Sequence, residues 1–185
     1  MQCLTEWRYC RMERGQLIWI TGFSGVGKTT IATALYGKLK KKAKNWVLID
    51  GDCVRQICDH DLGYSPQERL QNAKRIANLC KMLTEQGINV IAATISMFSE
   101  IYEFNTQNIG NYKTVLITAS LENIKKRDSK GLYQKERNDS KNIVGVNQQY
   151  DLPPVISLTI DNNEDGQIEQ KADMILDLIK ESENG

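Results

Sequence analysis

The sequence predicts an α/β protein: a central parallel five-stranded sheet flanked by helices, with a lid segment. Two observations carry this. Apolar stretches of strand length alternate along the 185 residues with segments of helical periodicity, the order that winds a parallel sheet with helices on both faces. A glycine-rich turn joins the first strand to the first helix, in a pattern whose backbone has a defined physical use.

The elements follow in order. Residues Met1 to Arg14 read as a loosely attached leader, with Trp7 and Tyr9 as its apolar handles, before a single domain over 15–185. Leu17 to Ile20 is a buried strand, and Thr29 to Leu39 a helix. Lys38, Lys40, Lys41, Lys42 and Lys44 crowd the helix end, where cations complement the dipole, so a solvated end is expected rather than a nucleic-acid patch. Trp46 to Ile49 is a second strand, closed by Asp50-Gly51-Asp52. Pro66 to Glu85 has helical periodicity through Leu70, Ala73, Ile76, Ala77, Cys80 and Leu83. Pro66 suits its start and Gly87 its end. Ile88 to Ile95 is a near-continuous apolar run, which suits a central parallel strand. Tyr112 to Thr118 is a fourth strand, and Leu121 to Asp128 a helix. Ser129 to Pro154 lacks periodicity, and a loop that long reads as a functional lid. Val155 to Ile160 is the fifth strand, and Gln167 to Ile179 a closing amphipathic helix.

The turn carries the chemistry. Gly22-Phe-Ser-Gly-Val-Gly27-Lys28-Thr29 fits G-x-x-x-x-G-K-[ST] with nothing missing, and strand and helix flank it as the motif requires. Gly22, Gly25 and Gly27 let the backbone turn tightly, so that successive N–H groups face a polyphosphate. The helix adds its positive end. Lys28 reaches the β- and γ-phosphates, and Thr29 ligates Mg²⁺. Ser24 and Thr30 complete the set expected to touch a nucleoside triphosphate.

Asp50 and Asp52 lie at the carboxyl end of the second strand, the edge where open α/β sheets bind ligands. Two readings stand side by side. The acids face one cleft, Asp50 near the metal and Asp52 near an acceptor hydroxyl. Alternatively, Asp-Gly-Asp is a turn in which Asp52 caps a helix over Cys53 to Cys58.

Composition narrows the rest. A net charge of +1 gives no reason to expect nucleic acid or a membrane as partner, and no apolar run approaches the ~20 residues of a membrane span. The first residues lack a signal-peptide h-region. Five cysteines (Cys3, Cys10, Cys53, Cys58, Cys80) without a CxxC pair read as reduced thiols of a cytoplasmic protein. His60 is the only histidine and builds no triad by itself. A regulatory GTPase would carry an N-K-x-D segment, which is absent, and a binding-only module has no need of the aspartate pair.

The segments TGFSGVGKTT, DGDCVR (Asp50 to Arg55), DLGYS (Asp61 to Ser65), ERLQNAKR (Glu68 to Arg75) and RDSKGLY (Arg127 to Tyr133) occur in the order and spacing of adenylylsulfate kinases. From about Gly15 to Asp161 the chain resembles that family. The resemblance implies a phosphate-loop kinase that moves the ATP γ-phosphoryl group to the ribose 3′-hydroxyl of adenosine 5′-phosphosulfate. It implies Asp52 as base or hydroxyl-orienting group, with Lys28 and Asp50 beside it and Thr29 and Asp50 on the metal. By the same resemblance Arg55, Arg69 and Asn72 hold the acceptor and its anionic group, Tyr64 stacks on its base, and Lys130 and Lys141 close from the lid. Homodimers are common in that family, and one is expected here.

The chain departs from the pattern on the acceptor side. Ile143 stands where the family has an aromatic. Ile95 and Ser96 belong to Thr94-Ile-Ser-Met-Phe-Ser99, which lacks the family's proline and arginine there. Away from the acceptor, Cys53 replaces an asparagine. The alternative acceptor is therefore a cytidine nucleotide, as in the cytidine diphosphoramidate kinases of capsule synthesis that resemble this family.

Overall fold

The computed structural model describes residues 13–127, 150–164 and 166–183. The elements are β1 (Leu17–Thr21), α1 (Lys28–Lys42), β2 (Trp46–Asp50), α2 (Gly51–Ile57), α3 (Pro66–Glu85), β3 (Asn89–Ala93), α4 (Ser99–Asn108), β4 (Tyr112–Thr118), α5 (Leu121–Lys126), β5 (Leu158–Asp161) and α6 (Ile168–Glu183). The strands form one sheet in the order β2-β3-β1-β4-β5, and every neighbouring pair is parallel.

Period-two alternation divides the core. In β1, Leu17 and Trp19 pack with α3 and α4 through Ala73, Ile76, Cys80 and Ile101. Ile18 and Ile20 face the other way, against Ile31 and Leu35 of α1 and Ile175 and Ile179 of α6. Both faces of β1 are covered, which is why its sequence is apolar from Leu17 to Ile20. Register places the strand ends level: Ile20 pairs with Ala93, and Ala93 with Asp50. The chain therefore leaves β1, β2 and β3 along one rim.

Local sequence explains most helix ends. Ser65 and Glu68 form a capping box with Pro66 in the first turn of α3, and Gly87 follows its end in the left-handed region at φ 77°. The last turn of α1 holds Lys40, Lys41 and Lys42. Lys38 instead reaches α6, bonding Asp173 at 2.7 Å and Glu169 at 2.9 Å.

The structure corrects several boundaries. β3 ends at Ala93, two residues short of the apolar run. β5 begins only at Leu158, leaving Val155 and Ile156 exposed on the approach to the sheet. The stretch after β3, for which the sequence suggested no element, holds α4. The described end of the lid, 150–154, has neither helix nor strand. Residues 1–12, with Trp7, Tyr9, Cys3 and Cys10, and residues 128–149, with Lys130, Lys141 and Ile143, lie outside the described residues. Cys53, Cys58 and Cys80 are free thiols, and burial pushes the Cys80 thiol far up. His60 is exposed. Among the described residues no helix is long and apolar enough to cross a membrane.

Candidate active site

The rim where β1, β2 and β3 end holds the site. Gly22, Gly25 and Gly27 all have positive φ (143°, 79° and 96°). Side chains are excluded at two of them. A Cβ on Gly22 would lie 2.2 Å from the Ile117 carbonyl oxygen, and one on Gly27 would lie 2.5 Å from Asn162 Nδ2. Gly27 is the N-cap of α1, so the loop delivers its backbone to a helix N-terminus, where orphan N–H groups and the dipole favour an anion. Lys28 Nζ donates to the carbonyls of Gly22 (2.9 Å) and Phe23 (2.7 Å), which holds the ammonium against the loop. Ser24 is half-buried in the same loop, and Thr29 and Thr30 are exposed in the first turn of α1.

Asp50 joins this loop to the next helix. Its Oδ2 accepts from Thr29 Oγ1 at 2.7 Å, and its Oδ1 from the Asp52 N–H at 2.8 Å. Asp50, not Asp52, is therefore the cap of α2. The turn-and-cap reading named the wrong acid, because the N-cap side chain reaches forward to the orphan N–H two residues on. Asp52 lies in the exposed first turn. Thr29 and Asp50 offer a hydroxyl and a carboxylate oxygen in contact, hard donors that fit Mg²⁺. Among the described residues no three His, Cys, Asp or Glu side chains gather as a metal site.

A cationic wall faces these acids. Arg55 is buried, and its Nη1 donates to the carbonyls of Leu62 and Gly63 at 3.0 and 2.9 Å. Arg69 Nε donates to the Tyr64 carbonyl at 3.0 Å. Both guanidinium carbons lie over the Tyr64 ring, at 4.8 and 5.1 Å from its centroid. Burial and the neighbouring Arg55 lower the Arg69 pKa, while Tyr64 and Asp52 oppose the shift. Asn72 is buried, and its Oδ1 has no hydrogen-bond partner among the described residues. An orphaned buried acceptor costs about 1–3 kcal/mol, so this oxygen is suited to a ligand's donor. Ser96 Oγ and Thr94 Oγ1 lie 2.6 Å apart, and Thr94 sits beside Gly51. Ile95 contributes its carbonyl, which accepts from Thr21 Oγ1 at 2.7 Å.

Three contacts at this rim were not visible from the sequence. Arg127 Nη1 and Nη2 donate to the carbonyls of Asn162 and Asn163, at 2.6 and 3.2 Å. Asn162 Nδ2 donates to the Val26 carbonyl at 2.7 Å. The Tyr150 ring meets the Phe23 ring edge-on, with centroids 4.9 Å apart. Arg127 alone carried a sequence signal, since it opens the RDSKGLY segment.

A parallel sheet with a glycine-rich anion loop, its lysine, and a carboxylate bonded to the following threonine define a phosphate-loop kinase. The match to the family model for adenylylsulphate kinase runs over residues 14–161. The chain belongs to the adenylylsulfate kinase family. It is 42% identical over 161 residues to cytidine diphosphoramidate kinase of Campylobacter jejuni subsp. jejuni serotype O:2, covering 86% of this chain and 94% of that one. It is 40% identical over 154 residues to adenylyl-sulfate kinase of Pseudomonas aeruginosa, covering 82% and 79%. Among solved structures, the Mycobacterium tuberculosis APS kinase CysC in complex with AMPPNP and APS superposes with a TM-score of 0.77. The two are 28% identical over 90% of this chain and 98% of that one.

Proposed function

We propose that this kinase transfers the ATP γ-phosphoryl group to the ribose 3′-hydroxyl of a 5′-modified nucleotide, adenosine 5′-phosphosulfate being the acceptor. The observation that carries it is the run of hydrogen bonds Thr29–Asp50–Asp52. It ties the donor's loop to the helix that bears the proposed base, Asp52, and Arg55. The loop N–H groups and Lys28 grip the β- and γ-phosphates. Thr29 and Asp50 would hold Mg²⁺, which when bound offsets phosphate charge. Asp52 takes the proton from the 3′-hydroxyl as that oxygen bonds to the γ-phosphorus and the β–γ bridge opens, releasing ADP. Arg55 and Arg69 meet the acceptor's anionic 5′ group with forked donors, and Asn72 Oδ1 accepts from the acceptor.

A second reading, the same transfer to a cytidine nucleotide, is favoured by the 42% identity to a cytidine diphosphoramidate kinase and by the departures over Thr94 to Ser99 and at Ile143. Adenosine phosphosulfate and cytidine diphosphate derivatives, each scored by 3′-phosphorylated product, decide between them. Equal ADP release with no acceptor present would overturn both. A cytoplasmic homodimer is the expected assembly, and light scattering of the purified chain measures its mass.

A further inference from the structure

We propose that Asn162 and Lys171 form a buried relay that positions the phosphate loop and brings a positive charge behind it. Asn162 follows β5 directly, and its N–H donates to the Thr118 carbonyl at 2.8 Å. Its side chain is buried and bonded at both ends: Nδ2 donates to the Val26 carbonyl (2.7 Å), and Oδ1 accepts from Lys171 Nζ (2.7 Å). An amide suits this place, because the same group must donate on one side and accept on the other, which a carboxylate cannot do.

The peptide plane makes this contact functional. In a trans peptide the carbonyl and the following N–H point in opposite directions. Pinning the Val26 carbonyl toward Asn162 therefore turns the Gly27 N–H away from Asn162, to the side where the loop gathers its anion donors. The absent side chain at Gly27 lets the amide come this close.

Lys171 on α6 is 5% exposed, yet among the described residues its ammonium donates to neutral oxygens alone: Asn162 Oδ1, and the Glu164 carbonyl at 2.8 Å. Burying a cation without a carboxylate partner is costly. A polyphosphate on the loop, reached through the Asn162 amide, supplies the missing countercharge. The relay thus raises anion affinity at the expense of the ligand-free state.

The inference rests on the loop binding ATP, so wild-type calorimetry with ADP and Mg²⁺ comes first. Absence of binding there overturns the kinase reading itself. Asn162→Asp then keeps a partner for Lys171 but removes the donor to Val26, and Lys171→Met removes the charge. Each should weaken ADP about tenfold, the worth of one such hydrogen bond. Inorganic tripolyphosphate, which has no base to be read, should weaken by a similar factor. Asn162→Asp should melt within a few degrees of wild type, since the new carboxylate pairs with Lys171. Lys38→Met, which removes a cation from the ion pairs between α1 and α6, should leave ADP affinity unchanged. Affinities within about twofold of wild type in both relay variants, with wild type binding normally, would overturn the relay alone.

Discussion

Asp50 and Asp52 are two residues apart, yet their surroundings give them different work. Asp50 is occupied on both oxygens, by Thr29 and by the Asp52 N–H. Asp52 lies on the exposed turn, within electrostatic reach of Arg69. Asp52→Asn is therefore expected to cut kcat by about 10²-fold or more while ATP KM moves less than about threefold. A rate near wild type in steady-state assays would move the base elsewhere. Gly27→Ala should abolish nucleotide binding, because its Cβ meets the Asn162 amide and its φ of 96° disfavours a side chain. At this scale the sequence was legible wherever function is written in neighbours. The loop is one contiguous motif, so its residues could be named from spacing alone. Asn162 was invisible because its partners, Val26 and Lys171, come from distant parts of the chain.

Among the elements, α4 is the instructive miss. Its sequence, SEIYEFNTQN, clusters its apolar residues at Ile101, Tyr102 and Phe104 instead of spreading them over a long period, and Phe98 gives it no side-chain cap. The cap comes from Asp151, whose Oδ2 accepts from the Ser99 N–H at 2.8 Å. Tertiary structure thus supplies what local sequence lacks. The Ser99 N–H holds the Asp151 carboxyl below the ordinary carboxylate value. The folded value is depressed, so the stabilisation is present above the unfolded pKa near 3.9 and is lost as pH falls through the folded one. Asp151→Ala should cost roughly 0.5–1 kcal/mol in denaturant melts at neutral pH, the low end for a cap because the group is exposed. That difference should shrink toward zero below about pH 4. By contrast, α3 was readable end to end, since its capping box, Pro66 and Gly87 are all local signals.

The whole molecule is organised around β1, which is buried throughout and flanked on both sides by strands. Hydrogen exchange should be slowest there and faster in β2 and β5, the outer strands of the sheet among the described residues. Exchange from β1 as fast as from β5 would contradict this ordering. The strand order was not readable from sequence, because periodicity names strands without pairing them. The order also has a consequence for biosynthesis. Leu17 leaves the ribosome well before its partners in the sheet, Val90 and Tyr112. A growing chain that stops before them holds an apolar strand with nothing on either side. The nucleotide grip that follows Leu17 to Thr21 can therefore take shape only once synthesis has passed Tyr112.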